Sequence, residues 1–394
     1  MTGESFTYHV PDAALADLRE RLARTRLPDQ APEAPWTYGT DVTYLADLIA
    51  YWRDRFDWRA EEAALNAFPQ LTMRVGEIDI HCLHVPGKGP NPRPLLLCHG
   101  WPGSVFEFLD LIPRLTDPAR FGGKPEDAFT VVAPSLPGYG LSFRPGQPRL
   151  GVEEIADHFS ELMTRLGYDR FMTQGGDWGA FITTRLAWRH PHRVEGLHLN
   201  MLPVRRDLSG RDATPEEAAH YRRVGTWLKE ETGYQWIQGT KPQTLAFGLS
   251  DSPAGLAAWI VEKFRSWSDC DGTIETAIPR DRMLANISVY WFTGAIGSSC
   301  HPYHSRLHRP WPVPDGEKVQ VPTAYAAFPK EMVRPPRSLA EATMFADLRR
   351  WTEMPRGGHF AALEQPDALA ADVRAFAASL PRSEHASPTL TSDR

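Results

Sequence analysis

The chain has 394 residues and a formal net charge of −6, with its charged side chains spread along it. That length exceeds a minimal domain, and the lack of a basic tract with interleaved aromatics argues against nucleic acid as a partner. Cys82, Cys98, Cys270 and Cys300 are too widely spaced for a disulfide framework or a zinc site and read as free thiols in a reducing cytosol, and no apolar run approaches the ~20 residues of a membrane span.

In chain order, Met1-Thr2-Gly3-Glu4-Ser5 lacks the basic and apolar regions of a signal peptide. The first ninety residues read as a unit of their own. Pro11-Asp12 resembles a helix start, and Ala14, Leu15, Leu18 and Leu22 recur at helical spacing after it. Tyr44, Leu45, Leu48, Ile49, Trp52 and Phe56 predict a second amphipathic helix, with an irregular Pro-rich segment, Leu27 to Pro32, between the two. Leu71 to Val85 alternates like a hairpin, and Gly87-Lys88-Gly89-Pro90 turns the chain into the next strand.

An alternating strand–helix rhythm follows. Pro94 to Cys98 and Phe129 to Ala133 are short apolar runs suited to buried parallel strands. Val152, Ile155, Phe159, Leu162, Met163 and Leu166 line one helical face. Phe171 to Thr173, Phe181 to Trp188 and Val194 to Leu199 predict strand, helix and strand, hence a parallel sheet with helices on both faces. From about Asp207 to Pro314 the rhythm gives way to a helical, aromatic stretch with Trp227, Trp236, Trp259, Trp267 and Trp291. Strands resume at Val319 to Phe328 and near Trp351, and a last helix covers Pro366 to Leu380.

Between the strand at Phe171 and the helix after it lies Gly175-Gly176-Asp177-Trp178-Gly179, the small-x-nucleophile-x-small layout of a nucleophile elbow with aspartate in place of serine. A serine that attacked an sp³ carbon would leave an ether, which water does not readily cleave. An aspartate leaves an ester, whose carbonyl water can attack. The motif therefore points to opening carbon–oxygen or carbon–halogen bonds. His99-Gly100-Trp101-Pro102, after the first core strand, stands where one oxyanion donor belongs, so the backbone N–H groups of Trp101 and Trp178 are the candidate donors. Ester hydrolysis needs a base, and His359 in Arg356-Gly357-Gly358-His359-Phe360 occupies the third triad place in chain order. Its acidic partner should follow a strand; Glu331 in Phe328-Pro329-Lys330-Glu331 fits, with Asp347 and Glu353 as competitors on the same physical grounds.

These four motifs, the last continuing as Phe360-Ala361-Ala362-Leu363-Glu364, resemble the microsomal-type epoxide hydrolases of the α/β-hydrolase fold. Phe56-Asp57-Trp58-Arg59 and Asp251 to Trp259 extend the resemblance over nearly the whole chain. It implies an α/β-hydrolase fold with a mostly parallel central sheet, an inserted helical cap and an N-terminal meander. The expected boundaries are residues 1–90 for the N-terminal region, 91–206 and 316–380 for the core, 207–315 for the cap and 381–394 for a disordered tail. The resemblance makes Asp177 the nucleophile, His359 the base and Glu331 its partner. It assigns Tyr234 and Tyr303 to the epoxide oxygen, with Tyr221 and Tyr290 as alternatives, and Trp101, Trp178 and Trp236 to substrate binding. It also implies a lipophilic epoxide substrate, no cofactor or metal, and a place in detoxification and aromatic-hydrocarbon catabolism. The N-terminus lacks the family's hydrophobic anchor, so a cytosolic protein is expected, with a homodimer as its assembly. A haloalkane dehalogenase would use the same aspartate but has no need of the tyrosine pair, and a non-catalytic receptor on the same fold would not need the triad.

Overall fold

The computed structural model describes residues 3–205 and 212–381. One nine-stranded sheet runs through it: β1 (Glu4–Ser5), β2 (Gln70–Val75), β3 (Ile78–Val85), β4 (Arg93–Cys98), β5 (Phe129–Pro134), β6 (Phe171–Gly175), β7 (Val194–Leu199), β8 (Thr323–Ala327) and β9 (Leu348–Glu353). Their order is β1-β2-β3-β5-β4-β6-β7-β8-β9. From β5 to β9 every pairing is parallel; β1, β2, β3 and β5 join antiparallel. The burial follows the sequence pattern. Every residue of β4 and β5 is buried, whereas β2 exposes Arg74 and half-buries Leu71 and Thr72. Central parallel strands are covered on both faces and can be apolar throughout. The first ninety residues, expected as a unit of their own, thus supply three strands of the common sheet.

Helices α1 (Asp12–Ala23), α2 (Val42–Asp54) and α3 (Trp58–Asn66) precede the core. Asp41 and Asp57 cap α2 and α3 by accepting Tyr44 N–H and Ala60 N–H, so α3 starts inside the Phe56-Asp57-Trp58-Arg59 motif. Within the core, α4 (Leu111–Thr116), α5 (Val152–Arg165) and α6 (Asp177–Arg189) follow their strands, and α5 packs against α6. The cap comprises α7 (Pro215–Glu231), α8 (Gly233–Thr240), α9 (Pro242–Asp251), α10 (Pro253–Trp267), α11 (Arg280–Thr293), α12 (Ile296–Ser299) and α13 (His301–His308). The chain ends with α14 (Arg337–Thr343), α15 (Ala361–Glu364) and α16 (Pro366–Ala378), with α16 against α4. The N-terminal helices grip the cap: Trp52 Nε1 donates to Ser288 Oγ at 3.1 Å and Arg282 pairs with Glu61 at 2.9 Å.

Two boundaries differ from expectation. The strand foreseen from Val319 narrows to β8, because Pro322 cannot donate to a ladder, and Val319 keeps only an isolated bridge to Phe345. The helix foreseen from Phe181 begins at Asp177 itself. The tail expected beyond Pro381 lies outside the described residues. Among the described residues no helix is long and apolar enough to cross a membrane.

The last helix is fastened through Asp372, which takes His198 Nε2 of β7 at 3.0 Å and Arg350 Nε and Thr352 Oγ1 of β9, each at 2.7 Å. Burial alone would raise this carboxyl; the His198 hydrogen bond and charge, with Arg350 and Thr352, bring it down to about 2. A carboxyl depressed by folding stabilises the native state above its unfolded pKa of ~3.9, and that contribution disappears as pH falls towards about 2. Asp372→Ala, which strands the buried His198 and frees the half-buried Arg350, is expected to lose about 3 kcal/mol at pH 7. A lower urea midpoint at pH 7 checks this, and an unchanged midpoint would show that the cluster adds nothing.

Candidate active site

Asp177 sits at the β6–α6 junction with φ +48°, a left-handed conformation that is strained for a non-glycine residue. The neighbouring glycines make that turn possible. A Cβ on Gly179 would stand 2.0 Å from Cys98 O, one on Gly175 2.4 Å from Gly179 O, and one on Gly176 2.5 Å from Asn200 Nδ2. The same holds for the β4 loop, where a Cβ on Gly100 would come within 2.3 Å of Asp177 Cβ and Oδ1. With glycine at 100 the two loops touch, and Trp101 N–H donates to Asp177 Oδ1 at 2.8 Å. His99 supports this loop from behind, donating Nδ1–H to Gly100 O at 3.0 Å and accepting Leu136 N–H on Nε2 at 3.1 Å. Trp178 N–H belongs to the first turn of α6, where helix N–H groups lack intrahelical partners.

On the other side of Asp177, His359 Nε2 lies 3.3 Å from Oδ2, and His359 Nδ1–H donates to Glu331 Oε2 at 2.8 Å. Glu331 follows β8, is 4 % exposed, and accepts Val333 N–H on its other oxygen at 3.3 Å. The competitors are engaged elsewhere, Asp347 with Arg349 and Glu353 with Arg334 and Trp351. Burial would lower the His359 pKa; the Glu331 carboxylate first, then the hydrogen bonds to Asp177 and Glu331, hold it well above the usual histidine range.

The cap closes over this centre. Tyr234 of α8 and Tyr303 of α13 meet edge to face at 5.7 Å between ring centroids, and Tyr303 stands the same way against Trp178 at 4.7 Å. Burial, with the Asp177 charge also contributing, pushes both phenols above their usual range, so both are protonated at neutral pH. Tyr234 accepts from Gln235 Nε2 at 2.9 Å, which leaves its own proton free. Tyr290 is spoken for, donating to Gly103 O at 2.7 Å, and Tyr221 lines the same cavity as Tyr234 and Tyr303.

A cavity of about 660 Å³ leads from Asp177, Trp178, Tyr234 and Tyr303 outward past Phe181, Trp227 and Met332. One expected substrate contact is corrected here. The Trp101 ring is fully buried and stacks beneath Tyr234 at 5.5 Å, so this residue faces the site through its backbone and not its indole. Trp236 does line this cavity, with 61 % of its surface exposed. It follows Tyr234 by two residues, and ~200° of helical rotation turns it away from the face that carries the phenol.

A second cavity, about 20 Å³, lies behind Asp177 and is lined by Glu107, Gln174, Asn200 and His359 among others. Burial pushes the Glu107 carboxyl up to about 8, with His359 opposing and Asp177 adding to the shift. Glu107 and Asn200 escaped the sequence reading, and Trp267 was read only as one aromatic of the helical stretch. The signal for Glu107 was an acid in the otherwise apolar Val105-Phe106-Glu107-Phe108 run; nothing local marks the other two.

An elbow aspartate, a histidine–carboxylate pair after β8 and β9, and a helical cap between β7 and β8 define a hydrolase of the α/β-hydrolase fold. Residues 93–366 match the family model described as alpha/beta hydrolase fold, and residues 3–108 match the epoxide hydrolase N terminus. The chain is 45 % identical over 370 residues to a homologue from Stigmatella aurantiaca, covering 94 % of this chain and 83 % of that one. It is 38 % identical over 401 residues to epoxide hydrolase 1 of Oryctolagus cuniculus, covering 94 % and 88 %. Among solved structures, Aspergillus niger epoxide hydrolase superposes with a TM-score of 0.84 at 29 % identity over 97 % of each chain. The juvenile hormone epoxide hydrolase of the silkworm Bombyx mori gives 0.86 at 31 % identity, covering 96 % of this chain and 94 % of that one. This chain belongs to the epoxide hydrolase family.

Proposed function

We propose that the protein adds water to a lipophilic epoxide through an ester on Asp177. The observation that carries this reading is that Asp177 shares the larger cavity with two protonated phenols while His359 Nε2 lies 3.3 Å from its Oδ2. Asp177 attacks an epoxide carbon and the ring C–O bond breaks. The leaving alkoxide is too basic to depart unaided, so Tyr234 and Tyr303 donate to it and one of them gives up its proton. In the resting site His359 lies between two carboxylates, which favours its charged form. Ester formation removes the Asp177 charge. His359 then loses its proton, which restores the phenol, and becomes a base. It takes a proton from water as that water attacks the ester carbonyl, and Trp101 N–H and Trp178 N–H hold the developing oxyanion. The ester bond breaks, the diol leaves with the returned proton, and Asp177 is regenerated. The cavity behind Asp177 has room for about one water beside His359. No metal or organic cofactor enters the scheme.

The apolar and aromatic wall of the larger cavity favours a lipophilic substrate. The wider reading is removal of electrophilic epoxides, with aromatic-hydrocarbon breakdown as one source, by a cytosolic homodimer. Four free, buried cysteines fit a reducing compartment, and light scattering reads the assembly directly.

The deciding experiment is one turnover in ¹⁸O-water with enzyme in excess. The diol should be mostly unlabelled, because its new oxygen comes from Asp177, and the label should appear in the Asp177 peptide. Fully labelled first-turnover diol would mean direct attack by water and would overturn the ester.

A further inference from the structure

His359 follows Gly357 and Gly358, the first of them at φ +106°, so the backbone that carries it has little intrinsic stiffness. The structure pins it from outside. Glu364 Oε1 accepts Phe360 N–H at 2.9 Å, and its Oε2 accepts Gly358 N–H at 2.9 Å, so one carboxylate holds the amides on both sides of His359. The same Oε2 accepts Asp269 N–H at 2.8 Å, just beyond the end of α10. Three further ties join the same two stretches. His359 N–H donates to Trp267 O at 2.8 Å, Gly357 N–H donates to Asp269 Oδ2 at 2.8 Å, and Gly358 lies so close that a Cβ there would be 2.5 Å from Trp267 O. The Trp267 ring in turn touches His359 at 5.2 Å and Tyr234 at 5.3 Å.

From this juxtaposition we propose that Glu364 is a positioning residue, holding His359 in reach of Asp177 by clamping the amides that flank it and tying them to the cap segment of Trp267 and Asp269. The proposal rests on His359 being the base. Burial pushes the Glu364 carboxyl up to about 7, opposed by the three N–H groups and the His359 charge; its ionised form suits the task because it only accepts, and the three N–H groups point at its two oxygens. A glutamine would turn its NH₂ towards at least one of them. Glu364 touches neither Asp177 nor the tyrosines, so its loss should act on the step that needs His359 Nε2 and spare the step that does not.

The test is single-turnover kinetics of Glu364→Gln with styrene oxide, following ester formation and ester hydrolysis separately, with His359→Gln as control. Hydrolysis should slow about 10- to 100-fold, as small misplacements of reacting groups do, while alkylation stays within about threefold. The ester should therefore accumulate in the mass spectrum of the folded variant. Asp269→Ala, which removes only the tie to Gly357 and leaves Glu364 in place, should shift the same ratio less, and it decides the matter if Glu364→Gln does not fold. Equal slowing of both steps, or no change in either, would overturn the positioning role while an ester on the His359→Gln control left the mechanism standing. No ester on that control would overturn the base assignment and this proposal with it.

Discussion

Replacing His359 with Gln is expected to leave the substrate bonded to Asp177. Ester formation draws on the carboxylate, the cap phenols and the Trp101 N–H, which donates to Oδ1 at 2.8 Å; none of them depends on the histidine. Hydrolysis does depend on it, since a neutral amide cannot take the proton from water. Loss of a general base costs about 10²–10⁴-fold, so the ester should persist long enough to be weighed. Intact-mass analysis after adding an epoxide should show a stable adduct, mapped by peptide digestion to residue 177. Asp177→Asn should show none at early times. A His359→Gln protein that binds substrate yet carries no adduct would rule out covalent catalysis here. The same electrostatics set a pH dependence. Glu331 still faces the imidazole in the ester state, so hydrolysis in the wild type should slow as pH falls and His359 becomes protonated, while the ester builds up.

The second large effect concerns the tyrosines. Tyr234 and Tyr303 are predicted to donate to one oxygen as it gains charge, so their hydrogen bonds strengthen in the transition state. Removing one donor should cost about 3 kcal/mol, roughly 10²-fold in the alkylation rate, by analogy with oxyanion donors. Tyr234→Phe or Tyr303→Phe should therefore slow ester formation without abolishing it, and the double variant should be nearly inert. Phe keeps the stacking on Trp101 and the edge contact with Trp178, so all three proteins should remain folded. Pre-steady-state alkylation rates are the measurement. Wild-type rates in both single variants would make the pair structural. Tyr290 would be a poor replacement, since its hydroxyl is already committed to Gly103 O.

What the sequence determined by itself is what depends on near neighbours. The strands at Pro94, Phe129, Phe171 and Val194 were legible because buried parallel strands are apolar throughout, and α1, α2, α5 and α16 because their apolar faces repeat at helical spacing. The elbow was legible for the same reason. Its small residues answer to contacts set by one tight turn and the strand beside it, and aspartate chemistry follows from the residue type alone. Other features were decided only by the tertiary structure, because they join distant parts of the chain. Physics alone could not choose Glu331 over Asp347 or Glu353. That choice depends on where the chain leaves β8 relative to a loop 28 residues further on. Tyr234 and Tyr303 are aromatic residues like their neighbours until helices α8 and α13 bring them within 5.7 Å. The Trp101 indole was expected in the substrate cavity, but packing put it beneath Tyr234; Trp236 does line the cavity, on a different face of α8 from the Tyr234 phenol. Glu364 had no visible task in sequence, since its partners are three backbone amides, and a backbone amide leaves no mark on residue type until the fold points it at an oxygen.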